Sequence, residues 1–344
     1  MSFDSDVSPS SVPTGSPRFD RERVGDFQPG DMATQMESGL GQENLPGGSL
    51  PDEGELQPGV EPVARSQWQL FRRRFLRHRM AVISLLVLII LCMMCFGASW
   101  IAPFPKNNQD LLAPVAGPSG THWFGTDTIG RDEFTEVLYA GQISLKIGLS
   151  VALISTVVGV ALGSLAGFFR GWTDQLVMRV TDLFLVIPQI VILSIAIKKF
   201  GQSDTMIALV LAALFWMYTA RVVRGQVLSI REKEYVEAAR AAGASSSRII
   251  IRHILPNIIG PIMVNATLAV AAAIIAESTL SYLGFGVQPP STSWGNMLSS
   301  AEGVIGTPRA YLLYFPGLMI FVTVLAVNFL GDGLRDAFDP QAHE

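Results

Sequence analysis

Five lysines are all that the 344 residues contain, at positions 106, 146, 198, 199 and 233, and none of them follows a glycine. A loop that cradles phosphate needs Gly-x-x-x-x-Gly-Lys-Ser/Thr, so the chain has no nucleotide-hydrolysing motif of its own. Histidine is as scarce. His78, His122, His253 and His343 lie far apart, which gives neither a metal centre nor a Ser-His-Asp arrangement; no catalytic and no metal-binding residue is assigned. The two cysteines, Cys92 and Cys95, have the C-x-x-C spacing of redox and metal motifs. They fall inside an apolar run from Met80 to Ala102, where two thiolates without water would be costly, and they read as small core residues. Charge is sparse too. Only 16% of residues are charged against 49% apolar, which excludes an ordinary soluble domain and points to an all-α, polytopic membrane protein.

The charge that exists is unevenly placed. Residues 1–64 hold twelve acidic and three basic side chains, whereas the rest hold 17 and 22. That leader is rich in Ser, Pro and Gly and has too few aliphatic residues to offset the entropy of ordering, so residues 1–65 are expected to be a disordered acidic tail. It also lacks the apolar stretch of a signal peptide.

At about 20 apolar residues per crossing, six spans are expected: Met80 to Ala102, Ser144 to Phe168, Leu176 to Ile197, Thr205 to Val222, Ile258 to Leu280 and Leu312 to Leu330. Segment 66–102 is then an amino-terminal stretch with the first span, 103–143 an external loop, 144–332 the core, and 333–344 a short tail. Basic loops stay in the cytoplasm. "FRRRFLRHR" before the first span places the amino terminus inside, and alternation puts Arg221 to Asn257, with seven Lys and Arg, inside as well. Both termini are thus expected in the cytoplasm. Because topology already accounts for the arginines, nucleic-acid binding is not indicated.

Several positions stand out within the spans. Gly159, Gly163 and Gly167 recur every fourth residue on one helix face, the pattern of close helix packing, with a conduit role as the weaker reading. Pro188 removes a backbone hydrogen bond and should bend the third span. Glu277 is an ionisable group at membrane depth, which either faces a partner or wet cavity or anchors at the headgroups.

Between the fourth and fifth spans lies "EYVEAARAAGASSSRIIIRHILPN". Residues 232–242 are strong helix formers, Glu237 can pair with Arg240 or with the chain beyond, and Gly243 is the type that ends a helix in a left-handed conformation. Ser245 is placed to cap a second helix running into Pro256, where the fifth span starts. Ala238, Ala239, Ala241 and Ala242 give the first helix a smooth flank for a groove on another protein, with Glu237 set to meet a cation there; a generic amphipathic surface helix is the alternative.

The spacing Glu237, Ala238, Ala239, three residues, Gly243, then Leu255 and Pro256 resembles the EAA loop of ATP-binding-cassette importer permeases. His253 departs from that motif's aliphatic position, and "RHILPN" looks like the peptide-permease branch. "HWFGTDTIGRDEFTEVLYAGQISLKIG", "STLSYLGFGVQPPSTSWGNML" and "NFLGDGLRDAFDP" resemble the C-type subunit of oligopeptide, dipeptide and nickel permeases, over residues 66–340. The resemblance implies a type I importer permease core behind one extra amino-terminal helix, in a bacterial inner membrane. It implies that residues 231–257 form the coupling loop against two cytoplasmic ATPase subunits, which carry ATP and Mg, and that this chain binds no cofactor. It further implies a pore shared with a B-type permease, and an extracytoplasmic binding protein facing the loops that hold Trp123, Asp127 and Trp294. Trp123 and Trp294 read equally well as interfacial aromatics. "SYLGFG", with Gly284, would lie near the outer gate. Peptides are the expected substrate, with nickel, glutathione or opines as alternatives; an ion-driven secondary transporter and an ATPase-recruiting scaffold are the rivals from other classes.

Overall fold

The computed structural model describes residues 67–338; the leader expected to be disordered and the last six residues lie outside it. A short amphipathic helix α1 (Gln67–Arg77) precedes α2 (Arg79–Phe96), whose first turn is capped by His78, its Nδ1 accepting from the Ala81 amide at 3.1 Å. After a break at Gly97 comes the one-turn α3 (Ala98–Ile101). The long α4 (Glu133–Phe169) follows, then α5 (Gly171–Val186) and α6 (Gln189–Phe200), then α7 (Asp204–Ile230). The short α8 (Glu234–Ala241) leads into α9 (Ser246–Tyr282), a rod that takes in a π-helical turn at Ile250–Ile254 and a 3-10 turn at Leu255–Ile258. Helices α10 (Trp294–Ser300) and α11 (Tyr311–Phe338) complete the described chain. Among the described residues no strand forms beyond two isolated bridges, Gln109 with Arg131 and Thr126 with Asp132.

Five helices are long and apolar enough to cross a membrane, and α5 with α6 makes a sixth if the bent pair is one span. The fold is therefore the all-helical polytopic one expected, with three corrections. The helix of the second span starts before Ser144: α4 begins at Glu133, inside the stretch expected to be loop. Asp132 caps it, its carboxylate accepting from the Thr135 amide at 2.9 Å, and Glu133 and Glu136 in its first turn complement the helix dipole. At about 55 Å this helix outruns the bilayer, and its polar first turns lie in a cap beyond it. The third span bends sharply at Pro188, as expected. Its halves meet at 92°, because Ile187 before Pro188 is extended (φ −81°, ψ 135°) and Pro188 offers no amide. Pro256 ends nothing; it sits inside the 3-10 turn of α9, where a missing N–H is tolerated, so no second separate helix precedes the fifth span. Ser245 stands at the amino-terminal boundary of α9 without making a side-chain cap. Finally, the sixth span continues as helix to Phe338, through residues expected to be tail.

The glycines explain how the bundle closes. A Cβ on Gly159 would lie 2.5 Å from Thr219 Cβ, one on Gly163 2.5 Å from the Ala220 carbonyl oxygen, and one on Gly167 2.9 Å from the Arg224 carbonyl oxygen. Helices α4 and α7 thus run in backbone contact along the glycine face, as the packing reading required. Gly333 serves α11 in the same way: its Cβ would meet Ala81 at 2.1 Å. Nearby, His78 Nε2 lies 3.4 Å from Asp336 and Phe71 packs on Phe338 with ring centroids 4.4 Å apart. Gly260 of α9 lies against Phe338 as well. The start of the described chain, the end of α11 and the segment around α8 therefore share one end of the bundle, which also carries Arg170, Arg231 and Arg335. We refer to it as the basic end.

Candidate functional site

At the basic end, α8 is seated by a single side chain. Val236 is fully buried in an apolar cluster with Phe168 of α4, Val223 and Val227 of α7, and Ile249, Ile250, Ile254 and Ile258 of α9. Ala239, one turn on, and Leu255 pack against the same cluster. Helical periodicity then turns Glu237, Ala238, Ala241 and Ala242 away from the bundle, where all four are exposed. The alanine flank read from the sequence as one surface is split: Ala239 packs on the bundle, while Glu237, Ala238, Ala241 and Ala242 face outward; of the other motif residues Leu255 packs inward, and Gly243 and Pro256 are exposed. Arg240 does not pair with Glu237. Its guanidinium lies 5.9 Å from the Phe168 ring centroid, and Glu237 makes no ion pair among the described residues.

The ends of α8 are locked. Gly243 has φ +80°; its amide donates to the Arg240 carbonyl at 3.0 Å, and that of Ala244 donates to the Ala239 carbonyl at 3.0 Å. This pair of bonds is the Schellman closure, which needs a left-handed residue and hence glycine. On the approach side, Arg231 donates to the Phe168 carbonyl at the end of α4, and Glu232 accepts from Arg170 at 2.8 Å. Arg224 grips Asp174 with both oxygens of the carboxylate engaged. The short helix is a bracket joined to α4, α7 and α9 and, through Glu232, to Arg170 between α4 and α5. Sequence reasoning missed Val236, whose signal was its place among exposed neighbours at the one apolar position of that helix face.

Glu277 resolves at the opposite end. It is fully buried among protein groups, and it faces partners, not an open cavity. Ser281 Oγ donates to its Oε1 at 2.7 Å and Ser144 Oγ of α4 to its Oε2 at 3.3 Å. Behind these, Trp294 N donates to Ser144 Oγ at 3.2 Å, and Ser293 Oγ lies 3.3 Å from Ser281 Oγ while accepting from the Asn296 amide. Two donor chains from the start of α10 converge on one carboxyl and join it to α4 and α9, a satisfied buried network. Replacing Glu277 with Leu leaves these hydroxyls unpaired and is expected to cost about 1–3 kcal/mol, read as a lower unfolding midpoint of the purified protein; Glu277→Gln keeps an acceptor and should lose less.

The other positions expected on the outer side divide. Trp294 is fully buried, its indole N–H donating to the Val137 carbonyl at 2.9 Å, so it is an internal post and offers no surface to another protein; small Gly141 admits its ring beside α4, and Gly295 lets α10 approach the backbone of Ser278 on α9. Asp127 is a staple for its own turn, accepting from the amides of Ile129 and Arg131 at 2.9 and 2.8 Å and from Arg131 Nε at 2.7 Å. Trp123 alone of the three remains on the surface, 54% exposed and tilted against Phe134. Gly284, with φ +81°, closes the carboxy-terminal end of α9 by the same pair of bonds seen at Gly243, from its own amide to Ser281 and from Phe285 to Leu280. Cys92 and Cys95 are free, and Cys95 packs against Gly141 and Trp294 in the core, as small core residues do.

Comparison with known proteins agrees with this architecture. Residues 159–344 match the family described as binding-protein-dependent transport system inner membrane component, and residues 66–118 match the N-terminal transmembrane domain of oligopeptide transport permease C. The chain is 39% identical over 279 residues to the oligopeptide transport system permease protein OppC of Haemophilus influenzae, covering 80% of this chain and 89% of that one. It is 40% identical over 278 residues to the protein of the same name from Mycobacterium bovis, covering 80% and 95%. With the matched region running from the glycine seam of α4 through the bracket at α8 to the end of α11, this chain belongs to the family of inner-membrane components of binding-protein-dependent transport systems.

Proposed function

We propose that the chain is one permease of a heterodimeric ATP-binding-cassette importer for peptides, with ATP and Mg held by two cytoplasmic ATPase subunits. The observation that carries this reading is the bracket: an exposed, uncompensated Glu237 on a helix whose opposite face is pinned by Val236 to three membrane helices. Such a part transmits force without bending. Closure of the ATPases would move it as a lever and tilt α4, α7 and α9, opening the pathway toward the binding protein. The basic end is the cytoplasmic one in this reading, as the positive-inside rule favours. The relatives' names support peptides over nickel, glutathione or opines.

A partner permease is favoured by the surface of α5 and α7. Arg221 donates to Asp182 at 2.7 Å, and the two side chains are 50% and 57% exposed although both lie on spans. An ion pair left open on a span is costly against lipid, so this face belongs to water or to protein. We assign it to the aqueous vestibule of a pathway shared with the B-type subunit. In a cysteine-free background, Asp182→Cys is expected to react with a water-soluble thiol reagent, whereas a cysteine at the exposed apolar Leu153 is not; equal protection of both would remove the assignment. Breaking the pair by Asp182→Ala should change stability by less than about 1 kcal/mol while lowering uptake.

The function itself is tested in sealed vesicles holding the whole complex, loaded with ATP and supplied with the binding protein and labelled peptide. Uptake should need ATP and survive collapse of the proton gradient. Uptake that follows the gradient instead would make the protein a secondary transporter, and ATPase binding without any transport would make it a scaffold.

A further inference from the structure

At the end of the bundle away from α8, a cavity of about 120 Å³ opens between the start of α4 and α10, with Asp127, Arg131, Glu133, Glu136, Thr292 and Asn296 among its walls. Three carboxylates face one guanidinium there. Arg131 is committed, its Nε to Asp127 at 2.7 Å and its Nη1 within 3.6 Å of Glu136 Oε2. Glu136 Oε1 also accepts from the Asn107 amide at 3.0 Å. Glu133 has no such help. The residue is 2% exposed, and its Oε1, shielded from water, has no hydrogen-bond partner. A buried carboxyl oxygen left without a donor is costly and calls for an occupant. The partial positive charge at the start of α4 reduces that cost without supplying a donor.

The walls also say what kind of occupant fits. The space is too small for a peptide. No group of three His, Cys, Asp or Glu side chains among the described residues closes around one point as a bare metal ion requires. An ammonium or guanidinium group, by contrast, spreads several N–H donors over wider spacing, and Thr292, Asn296 and Ser300 add acceptors along the walls. We infer that this cavity receives a lysine or arginine side chain presented by the extracytoplasmic binding protein. The inference rests on the importer reading, which supplies a binding protein at this end, and names the chemistry of its foothold.

The test uses the assembled importer in lipid nanodiscs and its fluorescently labelled binding protein. Wild-type docking should weaken as salt rises and be competed by methylguanidinium. Glu133→Gln should weaken docking roughly tenfold, flatten the salt dependence and abolish the competition. Ser300→Lys, which supplies an ammonium at the exposed edge of the cavity, should weaken docking in the same way while raising the unfolding midpoint of the permease, and it remains informative if Glu133→Gln fails to fold. Docking and salt dependence unchanged in either folded variant would overturn the inference. So would stabilisation by calcium that Glu133→Gln removes, because the occupant would then be an inorganic ion. If the binding protein neither docks on wild type nor stimulates ATP hydrolysis, it is the importer reading that fails.

Discussion

Glu237→Lys is expected to reduce ATP-driven uptake on the order of a hundredfold, because setting like charges against each other across an interface costs several kcal/mol and each 1.4 kcal/mol or so is a factor of ten. The side chain is exposed and free of ion pairs among the described residues, so the permease itself should fold and reach the membrane in normal amount. ATP hydrolysis by the partner subunits should persist, uncoupled, or the subunits should detach. Val236→Asp is the informative contrast. It places a charge without a partner in the apolar cluster under α8 and should loosen the bracket, lowering the unfolding midpoint along with uptake. Full uptake by Glu237→Lys would remove α8 from the energy path.

Gly163→Leu is expected to prevent assembly of the bundle. Even a first side-chain carbon there would lie 2.5 Å from the Ala220 carbonyl oxygen and 3.0 Å from its Cα. The obstacle is backbone, which cannot rotate aside as a side chain can, so α4 and α7 must separate along their whole seam and lose the contacts at Gly159 and Gly167 as well. Overpacking of this kind costs about 1–3 kcal/mol or more, and here the loss spreads down two helices. The readout is the yield of folded, monodisperse permease after solubilisation. Gly225→Ala on α7 is the control, since a Cβ at that position meets nothing within 4 Å; equal yields from the two variants would mean that the seam is not needed.

The sequence disclosed what depends on composition and local spacing. Apolar runs located the crossings, since a span must be long and greasy whatever surrounds it. Gly243 and Pro188 announced a helix end and a break, because φ freedom and a missing amide are properties of the residue itself. The every-fourth glycines announced a close seam. Hydropathy did not reveal that α4 begins eleven residues before Ser144, since it measures affinity for lipid, while a helix standing in the cap obeys its own capping residue, Asp132.

What the tertiary structure decided is which face each of these residues presents. Glu237 and Ala239 are neighbours in the motif, yet one is exposed and the other lies on the Val236 cluster, a choice made by what packs beneath α8. Trp294 read equally well as an outer contact or an interfacial ring and became an internal post, because Gly141 leaves room for its indole and Val137 offers it a carbonyl. Glu277 acquired its partners from Ser144 and Ser293, far away along the chain. Propensity and hydropathy are sums over nearby residues and are readable from the chain alone. Burial and pairing depend on groups that meet only once the helices have assembled.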